Sequence, residues 1–200
     1  MKLAAVIAFR YSVVSGLNTN PLERVCHLAA KAVIDGAANR PGAVFAHLRP
    51  IYVEDDRFES DFGRWTARTR GPRGRIARYV LARLETDAGE RAVDPETDPA
   101  TVEHVLPENP AGEWTETFPP ERWEAAVDRL GNLTLLERTL NRNVGNAGYR
   151  AKRAAYETSG YALTREIAAR APEEWTPALL EERQRRLATR AVRLWRADFE

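Results

Sequence analysis

Val102-Glu-His-Val-Leu-Pro107 and Leu130-Gly-Asn-Leu-Thr-Leu-Leu136 are the two stretches that decide the fold of this 200-residue chain. In the segment 101–106, β-branched residues alternate before a proline, which predicts a short strand. The second stretch is a compact apolar run of strand length, and the segment 146–158 has the periodicity of a helix. The order strand, long connection, strand, helix places Glu103 and His104 on the first strand.

The remaining segments predict helices. Several short periodic stretches fill the first eighty-odd residues, and two more helices follow residue 160. A polar stretch, 85–100, predicts a linker or a surface excursion. The connection 108–129 carries Trp114, Phe118 and Trp123, and we expect it to form a helix that supplies core. The predicted fold is mainly α, with a helical scaffold over residues 1–95 and a second domain over residues 96–200.

Composition excludes several classes of protein. Cys26 is the only cysteine, so an internal disulfide and a zinc site built from cysteine pairs are excluded, and a reducing cytoplasm fits best. The most apolar stretch near the start is interrupted at Arg10 and is too short to span a bilayer, so we expect no membrane partner.

Charges are sorted along the chain although the net charge is only +1. Seven arginines and no acids lie between residues 64 and 84, and five cations and no acids lie between 138 and 153. Thirteen acids lie between residues 85 and 128. Such runs favour either a local binding surface for nucleic acid or ordinary solvated helix faces.

The two strand motifs, together with Leu140-Asn141 and Asn146-Ala-Gly-Tyr-Arg-Ala-Lys152, resemble the C-terminal nuclease domain of the GmrS/GmrD (GmrSD) family. That family comprises modification-dependent (type IV) restriction enzymes and includes phage-defence nucleases. The resemblance covers residues 101–200 and implies an HNH, or ββα-metal, nuclease motif embedded in helices.

The resemblance implies a role for each matched residue. His104 is expected to be the general base, because a neutral imidazole accepts a proton from water near neutral pH. Glu103 and Asn141 are expected to bind one divalent metal ion, Mg²⁺ or Mn²⁺, through hard oxygen ligands. Asn132 matches the central asparagine, which fixes the loop and the orientation of the histidine.

Cations after the second strand are the expected phosphate contacts. Lys152 matches a lysine of the family, and Arg142 and Arg150, with Arg153, are weaker candidates for the same role. Asn146 also matches a family position, where it either caps the helix or contacts substrate.

These assignments predict a metal-dependent HNH endonuclease that nicks or cleaves DNA, with double-stranded phage or modified DNA as its partner. Larger family members also carry an N-terminal nucleotide-hydrolysing domain. The resemblance therefore implies such a sensor domain as a further partner in a longer protein, since residues 1–200 contain no P-loop pattern.

Two alternatives remain open. The chain is then either a catalytically silent module of the same fold that binds nucleic acid or docks a protein, or a nuclease for RNA or single strands. The silent module is favoured by Glu103, which stands where the commoner ligand is aspartate.

Overall fold

The protein is described by a computed structural model that covers residues 2–89, 91–110 and 112–197. Before the first strand, the α-helices are α1 (Lys2–Ala8), α2 (Asn20–Ile34), α3 (Pro41–Leu48), α4 (Asp55–Arg64) and α5 (Pro72–Ala88). Strand β1 (Thr101–His104) is followed by α6 (Trp114–Thr117), α7 (Trp123–Val127) and strand β2 (Leu133–Leu136). The remaining helices are α8 (Arg138–Val144), α9 (Tyr149–Glu157), α10 (Ala162–Arg170) and α11 (Pro177–Leu194). The mainly α fold is confirmed.

The chain divides into two compact units, Met1–Gly63 with Ala191–Glu200, and Arg64–Arg190. This division differs from the predicted boundary at residue 95. The reason is α5, which packs against β2 and α10 and therefore belongs with the strands. No helix within the described ranges is both long and apolar enough to cross a membrane.

The first unit is organised around a buried arginine. Arg10 lies in a π-helical segment, Phe9–Val14, that continues α1. Its guanidinium donates hydrogen bonds to the carbonyls of Val53 at 2.7 Å and Trp195 at 2.5 Å. Because these acceptors come from distant parts of the sequence, Arg10 ties the C-terminal segment to the N-terminal helices.

The second unit encloses the hairpin in helices. Strands β1 and β2 pair antiparallel, with Glu103 opposite Thr134 and His104 opposite Leu133. Apolar side chains from β2, the connection and the later helices form one core: Val105, Leu106, Trp114, Phe118, Leu136, Tyr149, Tyr156, Ile167, Trp175 and Leu180. The expectation that Trp114 and Phe118 supply core is confirmed, although the connection forms short helices rather than one.

Both strands are shorter than predicted. Strand β1 ends at His104, and residues 130–132 form a 3-10 turn before β2 begins at Leu133. The turn brings Gly131 against α11, where a Cβ atom would lie 2.6 Å from the carbonyl oxygen of Leu180. Only glycine permits this approach, which fixes the start of β2 beneath α11.

Candidate active site

His104 is the last residue of β1, and its position follows from the alternation of side chains along a strand. Successive side chains point to opposite faces, so His104 and Glu103 lie on different sides of the hairpin. The structure therefore separates the predicted base from one of the predicted metal ligands by the thickness of the strand.

Asn132 fixes the chain directly after His104. Its side chain accepts a hydrogen bond from the Leu106 N–H at 2.8 Å and donates to the Leu106 carbonyl at 2.9 Å. Its own carbonyl accepts from the Val105 N–H at 2.9 Å, and its side-chain amide also donates to the Val127 carbonyl at 3.1 Å. The Asn132 side chain is fully buried. The hydrogen bonds of Asn132 to Val105 and Leu106 take the place of the strand hydrogen bonds, which end at His104.

Two side chains of α11 hold the turn that carries Asn132. Arg183 donates to the carbonyls of Gly131 and Leu133, each at 2.8 Å, and the Gln184 side chain accepts from the Gly131 N–H. Burial lowers the pKa of Arg183 to about 10. Sequence reasoning missed both residues, because the arginine-rich pattern of α11 gives no sign of which side chains turn inward.

We predict that Asn132→Ala lowers the free energy of unfolding by roughly 3 kcal/mol, because two buried backbone groups of Leu106 and the partly buried carbonyl of Val127 lose a partner. Urea unfolding followed by circular dichroism measures this loss. Asn146→Ala is the matched control, since Asn146 is exposed and a change of about 0.5 kcal/mol or less is expected there. Equal unfolding free energies for the Asn132→Ala protein and the unchanged chain would contradict the prediction.

Glu103 lies in the interior, beneath α9. Its Oε1 accepts hydrogen bonds from Lys152 Nζ at 2.7 Å and from the Tyr156 hydroxyl at 2.8 Å. Lys152 Nζ also donates to the His104 carbonyl at 2.6 Å. Only 4% of Glu103 and 1% of Lys152 is exposed. Burial raises the pKa of Glu103 and lowers the pKa of Lys152, while their mutual attraction opposes both shifts.

The position of Lys152 differs from the predicted phosphate contact. Lys152 lies between Tyr149 and Tyr156 on the buried face of α9, and its ammonium is used by Glu103 and the His104 carbonyl. In this arrangement it faces the hairpin rather than solvent. What it contacts is the main chain of the candidate base.

The two remaining asparagines lie on α8 and directly before α9. Asn141 on α8 donates to Thr101 Oγ1 at 2.9 Å and to the Val102 carbonyl at 3.3 Å. Thr101 and Val102 precede His104 by three and two residues, or about 10 Å and about 7 Å along a strand. Asn146 is exposed before α9, and the N-cap residue of that helix is Gly148.

A divalent ion does not fit between Glu103 and Asn141 as the residues stand. The Glu103 carboxylate is already neutralised by an ammonium group, and a second cation beside Lys152 would be repelled. Nor does the described part of the chain contain a cluster of three or more His, Cys, Asp or Glu side chains suited to a metal. The chemistry of these donors therefore gives no step through a metal at Glu103.

His104 faces a different set of residues. Its Nε2 lies 3.5 Å from the Thr69 hydroxyl, in the loop before α5. Burial lowers the pKa of His104, the carboxylates of Glu108 and Asp128 raise it, and the charge of Arg70 lowers it. With a lowered pKa the imidazole is neutral at neutral pH, which is the form that accepts a proton.

Beside Thr69 lies a groove of about 630 Å³. Its lining combines the loop before α5 with the connection after β1: Arg68, Thr69, Arg70, Glu108, Asn109, Pro110, Trp123, Glu124, Val127 and Asp128. The exposed arginines Arg142 and Arg150 are on α8 and α9 and are not among these residues. Sequence reasoning noticed the run of arginines that includes Arg68 and Arg70, but nothing in the sequence pairs that run with His104.

A family model described as GmrSD restriction endonucleases, C-terminal domain, matches residues 52–190. The chain belongs to this family. The match contains the whole second unit, including both strands, the groove and α5. No curated protein matches the chain significantly. Membership in the GmrSD family makes this a nuclease domain related to restriction endonucleases.

Proposed function

We propose that this GmrSD domain is an HNH-type endonuclease that hydrolyses phosphodiester bonds in DNA, with His104 as the general base. The observation that carries the proposal is the placement of His104, a partly buried imidazole with a lowered pKa at the end of β1, 3.5 Å from the hydroxyl of Thr69, which lines a groove. Neutral His104 takes a proton from water as the water oxygen bonds to phosphorus. The bond from phosphorus to the leaving oxygen then breaks.

Residues around His104 hold this base in place. Asn132 fixes the two residues that follow it, and Lys152 fixes its carbonyl oxygen. The backbone at and directly after His104 is thus held before substrate binds, which favours catalysis by a preorganised group.

A divalent ion, Mg²⁺ or Mn²⁺, remains part of the proposal as a requirement of the reaction. We give it no ligand at Glu103, because that carboxylate is paired with Lys152. We likewise propose that the target is phage or modified DNA and that a nucleotide-hydrolysing sensor domain is a partner, because the family's biology implies both. A cytoplasmic location is proposed because the chain has a single cysteine.

The test is a nicking assay on supercoiled plasmid with Mg²⁺, with Mn²⁺ and with EDTA. We expect nicked circles in at least one metal and none in EDTA. Equal nicking in EDTA would overturn the metal requirement, and nicking of RNA or single strands alone would overturn the assignment to double-stranded DNA.

The second candidate is a catalytically silent module of the same fold. The pairing of Glu103 with Lys152 favours it, because it leaves the described residues without an obvious metal site. Retained DNA binding together with no nicking in any metal would favour this candidate over the nuclease.

A further inference from the structure

We infer that Arg68 and Arg70 bind DNA phosphates in the groove beside Thr69 and His104. We further infer that Glu108 forms an ion pair with Arg70 until a phosphate of the DNA backbone displaces the Glu108 carboxylate. The inference rests on the proposed function, because it names how that same site holds its substrate. In this arrangement the phosphate contacts lie on the loop before α5 rather than in the region after β2.

The loop before α5 lies beside His104. Thr69 lies between the two arginines and brings its hydroxyl to 3.5 Å from His104 Nε2. The exposed side chains of Arg68 and Arg70 both line the groove. A phosphate within reach of water activated by His104 is therefore also within reach of this loop.

The loop is fixed at both ends. Thr66 pairs with Arg129 in an isolated bridge, and the Ala67 N–H donates to the Asp128 carbonyl at 2.7 Å. At the other end, a Cβ atom on Gly74 would collide with the carbonyl oxygen of Thr69, so only glycine allows the chain to fold back there. Thr69 is thus positioned by backbone contacts and stays beside the imidazole without DNA.

Arg70 and Glu108 form an ion pair. Arg70 Nε donates to one carboxylate oxygen at 3.2 Å, and Nη2 donates to the other. This two-pronged contact is the geometry in which a guanidinium also binds two oxygens of a phosphate. Glu108 therefore occupies the position on Arg70 that a phosphate would take.

The exchange is favourable because the pair is exposed. The side chain of Arg70 is 80% exposed and that of Glu108 is 32% exposed, and exposed ion pairs contribute little to stability. A DNA phosphate arrives with further contacts to Arg68, and its binding releases counterions, so it competes well with one carboxylate.

The groove also carries negative charge. Glu108, Glu124 and Asp128 line it together with the two arginines, so a phosphate beside these carboxylates would meet like charge. The DNA backbone is therefore expected to contact Arg68 and Arg70 rather than these acidic side chains.

The experiment measures binding of a fluorescent DNA duplex in the His104→Ala background, which prevents cleavage during titration. Arg68→Ala and Arg70→Ala are each expected to raise Kd about tenfold and to reduce the salt dependence of binding by about one counterion. Arg24→Ala is the control, since Arg24 is exposed on α2 outside the second unit, and its Kd is expected to stay within about twofold.

The Glu108→Gln variant is expected to bind DNA more tightly, whereas the arginine variants bind it more weakly. It frees Arg70, so Kd is expected to fall by about threefold or more, whereas Glu124→Gln removes the same charge from the groove without freeing an arginine and should have a smaller effect. A merely structural role of the loop would not produce tighter binding.

Several results would overturn the inference. One is an unchanged Kd for both Arg68→Ala and Arg70→Ala while Arg142→Ala or Arg150→Ala weakens binding, which would return the phosphate contacts to α8 and α9. Equal effects of Glu108→Gln and Glu124→Gln would overturn the exchange at Arg70. If wild type still nicks plasmid in these cases, the proposed function stands, but if wild type neither binds nor nicks DNA, both proposals fail.

Discussion

The His104→Ala variant is expected to nick plasmid about 10² to 10⁴-fold more slowly than the unchanged chain, because the attacking water loses its proton acceptor. Binding should survive, since the proton transfer is made in the transition state and not in the complex with DNA. We expect a Kd within about threefold of wild type. Nicking rates from gels and Kd values from fluorescence anisotropy measure the two effects separately.

Two controls make this result specific. His47 is exposed on α3, so His47→Ala should nick at the wild-type rate. In a His104→Gly variant, added imidazole should restore part of the rate, because a small base can enter the space and accept the proton. Full activity of His104→Ala would show that another group is the base, and a loss of its circular dichroism spectrum would indicate unfolding rather than lost chemistry.

The sequence predicted the hairpin well because its signals are local. Alternation over 101–106 and the compact apolar run over 130–136 both ended in strands, although each strand is shorter than predicted. The shortening has one cause outside the strands. Asn132, in the turn held by Arg183 and Gln184 of α11, replaces regular pairing with side-chain hydrogen bonds, and no local pattern in the sequence indicates a contact with a helix so much later in the chain.

The sequence also contained the signal that identifies the buried face of α9. Tyr149, Lys152 and Tyr156 are spaced three and four residues apart, which places all three on one side of a helix. A lysine in register with two aromatic residues is a signal of burial, and all three side chains are buried. The family resemblance identified the position of Lys152 in the motif, but it did not show that the lysine side chain points into the interior.

The loop before α5 shows what sequence alone could not supply. Arg68 and Arg70 belong to a run without acids, a pattern equally consistent with a solvated helix face. Their nearness to His104 depends on the bridge between Thr66 and Arg129, a long-range backbone contact. The predicted domain boundary at residue 95 differs for the same reason, because α5 and its loop pack with the strands.

The buried pair of Glu103 and Lys152 leads to the second large prediction. Either Glu103→Gln or Lys152→Met alone is expected to lower the free energy of unfolding by about 3–5 kcal/mol, since each leaves the other charge buried without a counterion. The double variant leaves no charge, and the amide oxygen introduced by Glu103→Gln would still accept from the Tyr156 hydroxyl. It should therefore be less destabilised than the sum of the singles, with a coupling energy of about 2 kcal/mol.

Urea unfolding of wild type, the two single variants and the double variant measures this coupling energy. The same four proteins distinguish an internal ion pair from a metal site. If Lys152 is the counterion of Glu103, Mg²⁺ or Mn²⁺ should leave the effect of Glu103→Gln unchanged. A metal ligand at Glu103 predicts instead that wild type is stabilised by the ion and that Glu103→Gln abolishes the stabilisation. Because Lys152 also donates to the His104 carbonyl, the pair links the stability of the interior to the position of the base. Additive single effects would show that Glu103 and Lys152 do not neutralise each other.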